Sequence, residues 1–223
     1  MKNLTLLIPV KNEIESLQIF LKELDDCDFE KLLVIDCNDL NDYSELLKKH
    51  KNCNFIKSSK TGYGQALIDG INFIESKYFC IINADGSMDP KYLEKMFSLT
   101  DEYSFVFTSR YIKPGGSDDD TLITFLGNKI FSFIGKIFFS LNISDILYTY
   151  ILGETQLAKN LNLTNYDFRI CVELPIKIHQ NKYSYVDIGN YERSRIGGKK
   201  KVNAFKDGFL ILMEIVRMFL TKY

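Results

Sequence analysis

The stretch Phe79-Cys80-Ile81-Ile82-Asn83-Ala84-Asp85-Gly86-Ser87-Met88-Asp89-Pro90 decides how this chain is read. Tyr78 to Ile82 is apolar throughout, as expected of a strand covered on both faces. It runs into a polar corner holding Asp85 and Asp89, and Pro90 then opens a helix, where proline is tolerated. A carboxylate at the C-terminal end of a parallel strand lies where open α/β sheets bind ligands. Hard cations such as Mg2+ take oxygen ligands there, one or two carboxylates together with substrate phosphates. The corner reads as a metal–diphosphate site, with Asn83 standing where a second carboxylate would strengthen the case.

Working outward, strand and helix alternate through the first half. Leu4 to Val10 is a near-continuous apolar run, and Glu13 to Leu24 carries Ile14, Leu17, Phe20, Leu21 and Leu24 at helical spacing. Strands are predicted over Lys31–Ile35, Asn54–Lys57 and Ser104–Thr108, and helices over Tyr43–Lys49, Tyr63–Glu75 and Pro90–Leu99. Such alternation with short connections predicts a mostly parallel, doubly wound α/β sheet. The second half changes character. Pro114 to Asp120 is a Gly- and Asp-rich break, and Leu122 to Leu141 is rich in Phe, Ile and Leu, interrupted by Lys129 and Lys136. A helix over Phe168–Gln180 with Pro175 near its first turn, a strand over Tyr183–Ile188 and a basic loop from Arg193 to Lys201 follow. Asn203 to Leu220 closes the chain as an amphipathic helix. The division expected is a domain over residues 1–202 and a helical appendage over 203–223, the latter a membrane-surface or dimer contact.

Two hundred and twenty-three residues with a net charge of −1 suit one domain. A chain of this size buries roughly 70% of its unfolded surface and needs no structural metal or disulfide. The near-neutral charge excludes a nucleic-acid footprint over the whole surface. The five cysteines form no C-x-x-C pair, and no targeting segment precedes the first strand. Both point to a reducing cytoplasm. No uninterrupted apolar run reaches the ~18 residues that span a bilayer. Cys80 reads as a small buried hydrophobe, and His50 and His179 as solvated surface residues.

Loops from the strand ends converge on one edge of a parallel sheet: Pro9-Val10-Lys11-Asn12-Glu13, Asp36 to Asp42, Lys60-Thr61-Gly62-Tyr63-Gly64 and the Asp85 corner. Pro9 to Glu13 reads equally as an ordinary helix start. Thr61 to Gly64 reads equally as a tight turn, and its spacing excludes a P-loop.

In this order the segments resemble family 2 glycosyltransferases of the GT-A fold, and within them the dolichyl- or polyprenyl-phosphate sugar transferases. Ile8 to Glu13 resembles the opening nucleotide-binding turn, and Val34 to Asp39 a degraded V-D-D-G-S segment. Lys60 to Leu67 resembles the G-x-G-x-A-L turn, and Asn83-Ala84-Asp85 the D-x-D motif. Ser109-Arg110-Tyr111 matches S-R-Y, and Phe168 to Leu174, Val186-Asp187-Ile188 and Arg193 to Lys199 resemble the late helix, strand and R-x-G-G-x-K loop. The likeness covers nearly the whole chain, and its specificity lies in the ordered set. Cys37-Asn38, Asn83 and Asp145 to Tyr150 depart from the family pattern.

The resemblance implies a nucleotide-sugar site made of Pro9, Lys11, Glu13, Asp36, Gly64, Asn83, Ala84, Asp85, Arg195 and Lys199. It implies Mg2+ or Mn2+ on Asp85 with Asn83 and Ser87, and Arg110 and the Arg195–Lys199 loop on anionic phosphates. Glu173 reads as a general base or as a structural helix-start acid. The activity implied is inverting transfer from a UDP- or GDP-sugar to a polyprenyl phosphate at the cytoplasmic membrane face. Alternatives are a saccharide hydroxyl as acceptor or a catalytically silent nucleotide-sugar binder. A homodimer through the helical part is the competitor to the membrane surface.

Overall fold

The computed structural model describes residues 3–197 and 203–221. The first half runs β1 (Leu4–Val10), α1 (Ile14–Leu24), β2 (Glu30–Ile35), α2 (Ser44–Leu47), β3 (Cys53–Lys57), α3 (Tyr63–Phe73) and β4 (Tyr78–Ile81). A 3-10 turn at Pro90–Tyr92 leads into α4 (Leu93–Ser98), then β5 (Phe105–Ser109), β6 (Gly116–Ser117) and α5 (Leu122–Phe139). The chain continues through β7 (Ile151–Glu154), α6 (Thr155–Asn160), α7 (Ile170–Gln180), β8 (Tyr185–Gly189), β9 (Tyr191–Glu192) and α8 (Ala204–Leu220).

Seven strands form one sheet in the order β3-β2-β1-β4-β7-β5-β8, and β6 pairs with β9 in a two-stranded ribbon. All pairings in the large sheet are parallel except those of β7, which runs antiparallel to β4 and β5. The expected doubly wound, mostly parallel sheet is present. The sequence reading passed over β7, α6 and the ribbon, each too short for a periodic pattern to register.

Every residue of β1 is buried because helices cover both faces. Leu6 and Ile8 join a core with Leu17, Phe20 and Leu21 of α1, while Leu7 faces the other core with Leu67 and Ile71 of α3. That second core also takes Ile211, Ile215 and Met218, so α8 packs into the body of the molecule. Pro175 sits inside α7, which starts only at Ile170, so its missing N–H falls in the helix interior.

Two histidine expectations are corrected. His50 is buried, with its Nδ1 2.6 Å from Asp25 Oδ2. His179 Nδ1 lies 3.0 Å from the Tyr185 hydroxyl.

The helical part exposes an unusual face. Only 22% of the Leu122–Phe139 helix is buried. Leu122, Ile123, Leu126, Ile130, Phe133 and Ile137 line its outer side, and Phe205, Phe209, Met213 and Leu220 are exposed on α8. The two helices pack together, with Phe138 and Phe139 edge-on to Phe219, so their apolar stripes are neighbours. Among the described residues α5 is the one helix long and apolar enough to cross a membrane, by length and composition alone.

Candidate active site

The C-terminal ends of β1, β2 and β4 open on one edge of the sheet, with β5 and β8 parallel to them. At β2, the buried Asp36 organises the edge. Its carboxylate accepts from the Thr61 hydroxyl at 2.7 Å, Gly62 N–H at 3.1 Å, Asn38 N–H at 3.0 Å and Lys11 Nζ at 3.2 Å. Burial opposes its charge, but these donors hold it below the usual carboxylate range. Asp39 does the same work for Asn12 N–H, Asn41 and Tyr43. Lys11 and Asp36, expected against the nucleoside, are thus brought together, and Asp36 is tied to the turns after β1 and β3 as well as to its own loop. Pro9 lies within buried β1, and Glu13 precedes α1, also buried.

Gly64 is corrected. Its Cα faces protein: a Cβ there would lie 2.1 Å from the Asn165 carbonyl oxygen and 2.7 Å from that of Asp167. Gln65 N–H donates to Tyr166 O at 2.9 Å. The start of α3 is therefore packed under the 165–167 segment, and the small residue serves that packing.

At the end of β4 the chain turns through Gly86 at φ +73°, a conformation that favours glycine. This turn holds Asp85, 4% exposed, with Oδ1 accepting from Ser87 N–H at 3.0 Å and Ser87 Oγ at 2.8 Å. Its Oδ2 meets Arg195 Nη1 at 3.0 Å. Ser87 is buried and donates its hydroxyl to Asp85, which orients that carboxylate. Asn83 Oδ1 accepts from the Tyr63 hydroxyl at 3.1 Å, and Tyr63 also meets Thr149 Oγ1 at 2.6 Å. Ala84 is buried beside them. Asp89 caps the Pro90 turn through Lys91 N–H.

The basic strap after β9 lies across this corner. Ile196 N–H donates to Asp85 O at 2.8 Å, and Arg193 reaches both Gly86 O and Glu23. Arg195 is shared between Asp85 and Asp119, donating to the latter from Nε and Nη2 at 3.1 and 3.2 Å. Lys199, assigned to the same loop, lies outside the described residues.

Arg110 and Glu173 are corrected as catalytic residues. The Arg110 guanidinium grips Asp145 from Nε at 2.7 Å and Nη2 at 2.9 Å, and reaches Glu192 and Asp120 from Nη1 at 3.2 and 3.4 Å. It also lies 4.7 Å over the Tyr148 ring. Its charge is committed to binding the β5 end to two loops and to β9. Burial raises the Glu192 carboxyl above its usual range, with Arg110 and Ser117 pulling it back.

Glu173 is fully buried and accepts from Thr164 N–H, Thr164 Oγ1, Asn165 N–H and Asn165 Nδ2, with Lys177 Nζ at 2.8 Å. Burial opposes its ionisation, but these donors hold its carboxyl below the ordinary value. A fully paired carboxylate with no exposed surface is a structural acid. That geometry supports the structural one of the two readings.

The sequence profile described as Glycosyl transferase family 2 matches residues 5–161. The chain belongs to glycosyltransferase family 2. As a member it is a glycosyltransferase that draws its sugar from a nucleotide-sugar donor. Solved structures agree on the fold. Glucosyl-3-phosphoglycerate synthase from Mycobacterium tuberculosis, in complex with Mn2+, UDP and phosphoglyceric acid, superposes with a TM-score of 0.75 at 10% identity. The match covers 98% of this chain and 78% of that one. Mannosyl-3-phosphoglycerate synthase from Rubrobacter xylanophilus gives 0.72 at 13% identity, over 99% and 75%. The architecture is the GT-A fold.

For a metal, the donor set around Asp85 is one carboxylate and the Asn83 amide oxygen. Among the described residues no group of three or more His, Cys, Asp or Glu forms a cage. That set fits a hard divalent cation that brings its remaining ligands from phosphates and water. The Arg195 guanidinium on Asp85 Oδ2 shows that the position already draws a cation. Sequence reasoning missed Asp119, Asp120 and Glu192. The run Asp118-Asp119-Asp120 was the available signal, but it read as a loop break.

Proposed function

We propose that this glycosyltransferase moves a sugar from a UDP- or GDP-sugar to a phosphate-bearing acceptor, by inversion in one displacement, with Asp85 as the protein ligand of Mg2+ or Mn2+. The observation that carries it is Asp85 itself. It is buried at the end of β4, oriented by Ser87, and its other oxygen meets the Arg195 guanidinium. When bound, the metal neutralises charge developing on the departing diphosphate. Arg195, at the mouth of the corner, meets the same diphosphate, and the Lys11–Asp36–Thr61 cluster shapes the nucleoside end. The removal of Glu173 from the cleft favours an acceptor that is already anionic, because a phosphate needs no strong base. The phosphoglyceric acid bound by the M. tuberculosis neighbour is an acceptor of that chemical kind.

A polyprenyl phosphate is the acceptor that suits the rest of the surface. The capped start of α5 sits beside the cleft: Thr124 Oγ1 donates to Asp120, which also takes Arg110 and the Tyr111 hydroxyl. The apolar face of α5 and α8 begins at that rim. Its exposed charges are basic, Lys129, Lys136, Lys206 and Arg217, while Glu214 is buried and paired. Such a face matches an anionic membrane surface. A two-fold dimer through α5 would set Lys129 and Lys136 against their own copies.

The test is nucleoside diphosphate release across UDP- and GDP-sugars with Mg2+ or Mn2+. Metal-dependent release, abolished by Asp85→Ala, is expected. Full turnover of Asp85→Ala in EDTA overturns the assignment.

A further inference from the structure

Arg195 is the only described arginine divided between the metal-side carboxylate and a second acid. Its contacts are unequal. Asp85 takes one guanidinium nitrogen, Nη1, at 3.0 Å, whereas Asp119 takes Nε and Nη2 in a fork at 3.1 and 3.2 Å. Fork pairing of this kind fixes orientation as well as charge. Asp119 is itself held in place. Its N–H donates to Ser117 Oγ, Asp118 N–H donates to Glu192 O, and β6 pairs with β9 through Ser117 and Glu192. The Asp119–Arg195 pair thus continues the zipped ribbon by one more rung. On the other side, the strap backbone is tied to the Asp85 turn by Ile196 N–H and by Arg193. Only the Arg195 side chain has freedom to move while both backbones stay fixed.

We propose that Asp119 is a positioning residue that keeps Arg195 at the cleft mouth when Arg195 gives up Asp85 to a divalent cation. The proposal rests on the reading of Asp85 as metal ligand. A guanidinium and a divalent cation repel when they share one carboxylate oxygen. Arg195 therefore leaves Asp85, losing one contact and keeping two. It then faces the diphosphate as a prealigned cation. Without Asp119 the guanidinium has Asp85 as its remaining carboxylate and competes with the metal for it.

The experiment measures Mn2+ binding to the full chain by electron paramagnetic resonance, without nucleotide, alongside donor KM and kcat and thermal melting. Arg195→Met is expected to bind Mn2+ about tenfold more tightly, an effect of the size expected for one removed, partly buried competing charge. Asp119→Asn is expected to bind Mn2+ about fivefold more weakly, scaled to a part-exposed pair, and to raise donor KM more than it lowers kcat. Asp119→Glu should restore both. Wild-type Mn2+ affinity in both Arg195→Met and Asp119→Asn, with Asp85→Ala abolishing binding, overturns the positioning role while sparing the metal site. Unchanged binding in Asp85→Ala overturns the metal reading itself, and the positioning role with it. A lowered melting temperature in Asp119→Asn with no change in Mn2+ affinity makes Asp119 structural only.

Discussion

Replacing Glu173 with Gln separates the two readings that the sequence leaves open for this acid. The carboxylate takes bonds from two main-chain N–H groups, the Thr164 hydroxyl, the Asn165 amide and the Lys177 ammonium. Gln keeps the shape but turns an NH2 group toward some of those donors and removes the charge from a buried pair. Broken charge-assisted bonds cost about 1.5–3 kcal/mol each, and a broken buried ion pair about 3–5 kcal/mol. Partial retention of acceptors by Gln puts the net loss near ~3 kcal/mol, or roughly 6–12 °C in melting temperature at this chain length. The pH dependence follows from the lowered folded-state pKa. Glu173 contributes fully above its unfolded value of about 4.3, and its contribution fades as pH falls through the lower folded value. Stability curves of wild type and Glu173→Gln are therefore expected to converge as pH falls below the unfolded value and through the lower folded one. Turnover per folded molecule at pH 7.5 should stay within about tenfold of wild type, since loss of a general base costs about 10²–10⁴. A thousandfold fall in kcat with an unchanged melting curve would refute the structural assignment.

Gly64→Ala should destabilise by about 1–3 kcal/mol, because its new Cβ meets two backbone oxygens that cannot rotate away. A raised donor KM with no loss of melting temperature would instead return Gly64 to the nucleotide site. Flotation with phosphatidylglycerol vesicles should carry wild-type protein upward, and Ile130→Glu with Phe133→Glu should leave it at the bottom. Wild type that stays at the bottom, or variants that only split a dimer in light scattering, would discard the membrane face.

The sheet was legible because its strands are apolar runs between amphipathic helices, and β1 and β4 fall where their burial demands. The Asp85 corner was legible for the same reason, since an acid after a buried strand has one edge to occupy. What escaped depends on pairing across distance. Arg110 lies 82 residues from Glu192, and Asp119 lies 76 from Arg195. An arginine at a strand end suggests a phosphate clamp until its acids are placed beside it. Gly64 misled in a different way. A glycine in the first turn of a helix has the same signature whether a phosphate or another backbone comes close, and here it is the 165–167 segment.

The charge of the cleft constrains the order of events there. Asp85, Asp119, Asp120, Asp145 and Glu192 face Arg110 and Arg195, so carboxylates outnumber the guanidinium groups that pair with them. Arg110, 10% exposed, spends its charge inside that cluster. A bare diphosphate approaching Asp85 meets a buried carboxylate, and the repulsion grows as water is excluded. A donor arriving with a divalent cation would reverse that balance at Asp85. By the positioning proposed for Asp119, it would also free Arg195 to face the phosphates. One exchange at one carboxylate thus removes a repulsion and supplies a clamp, which a cleft with a free Arg110 would not need.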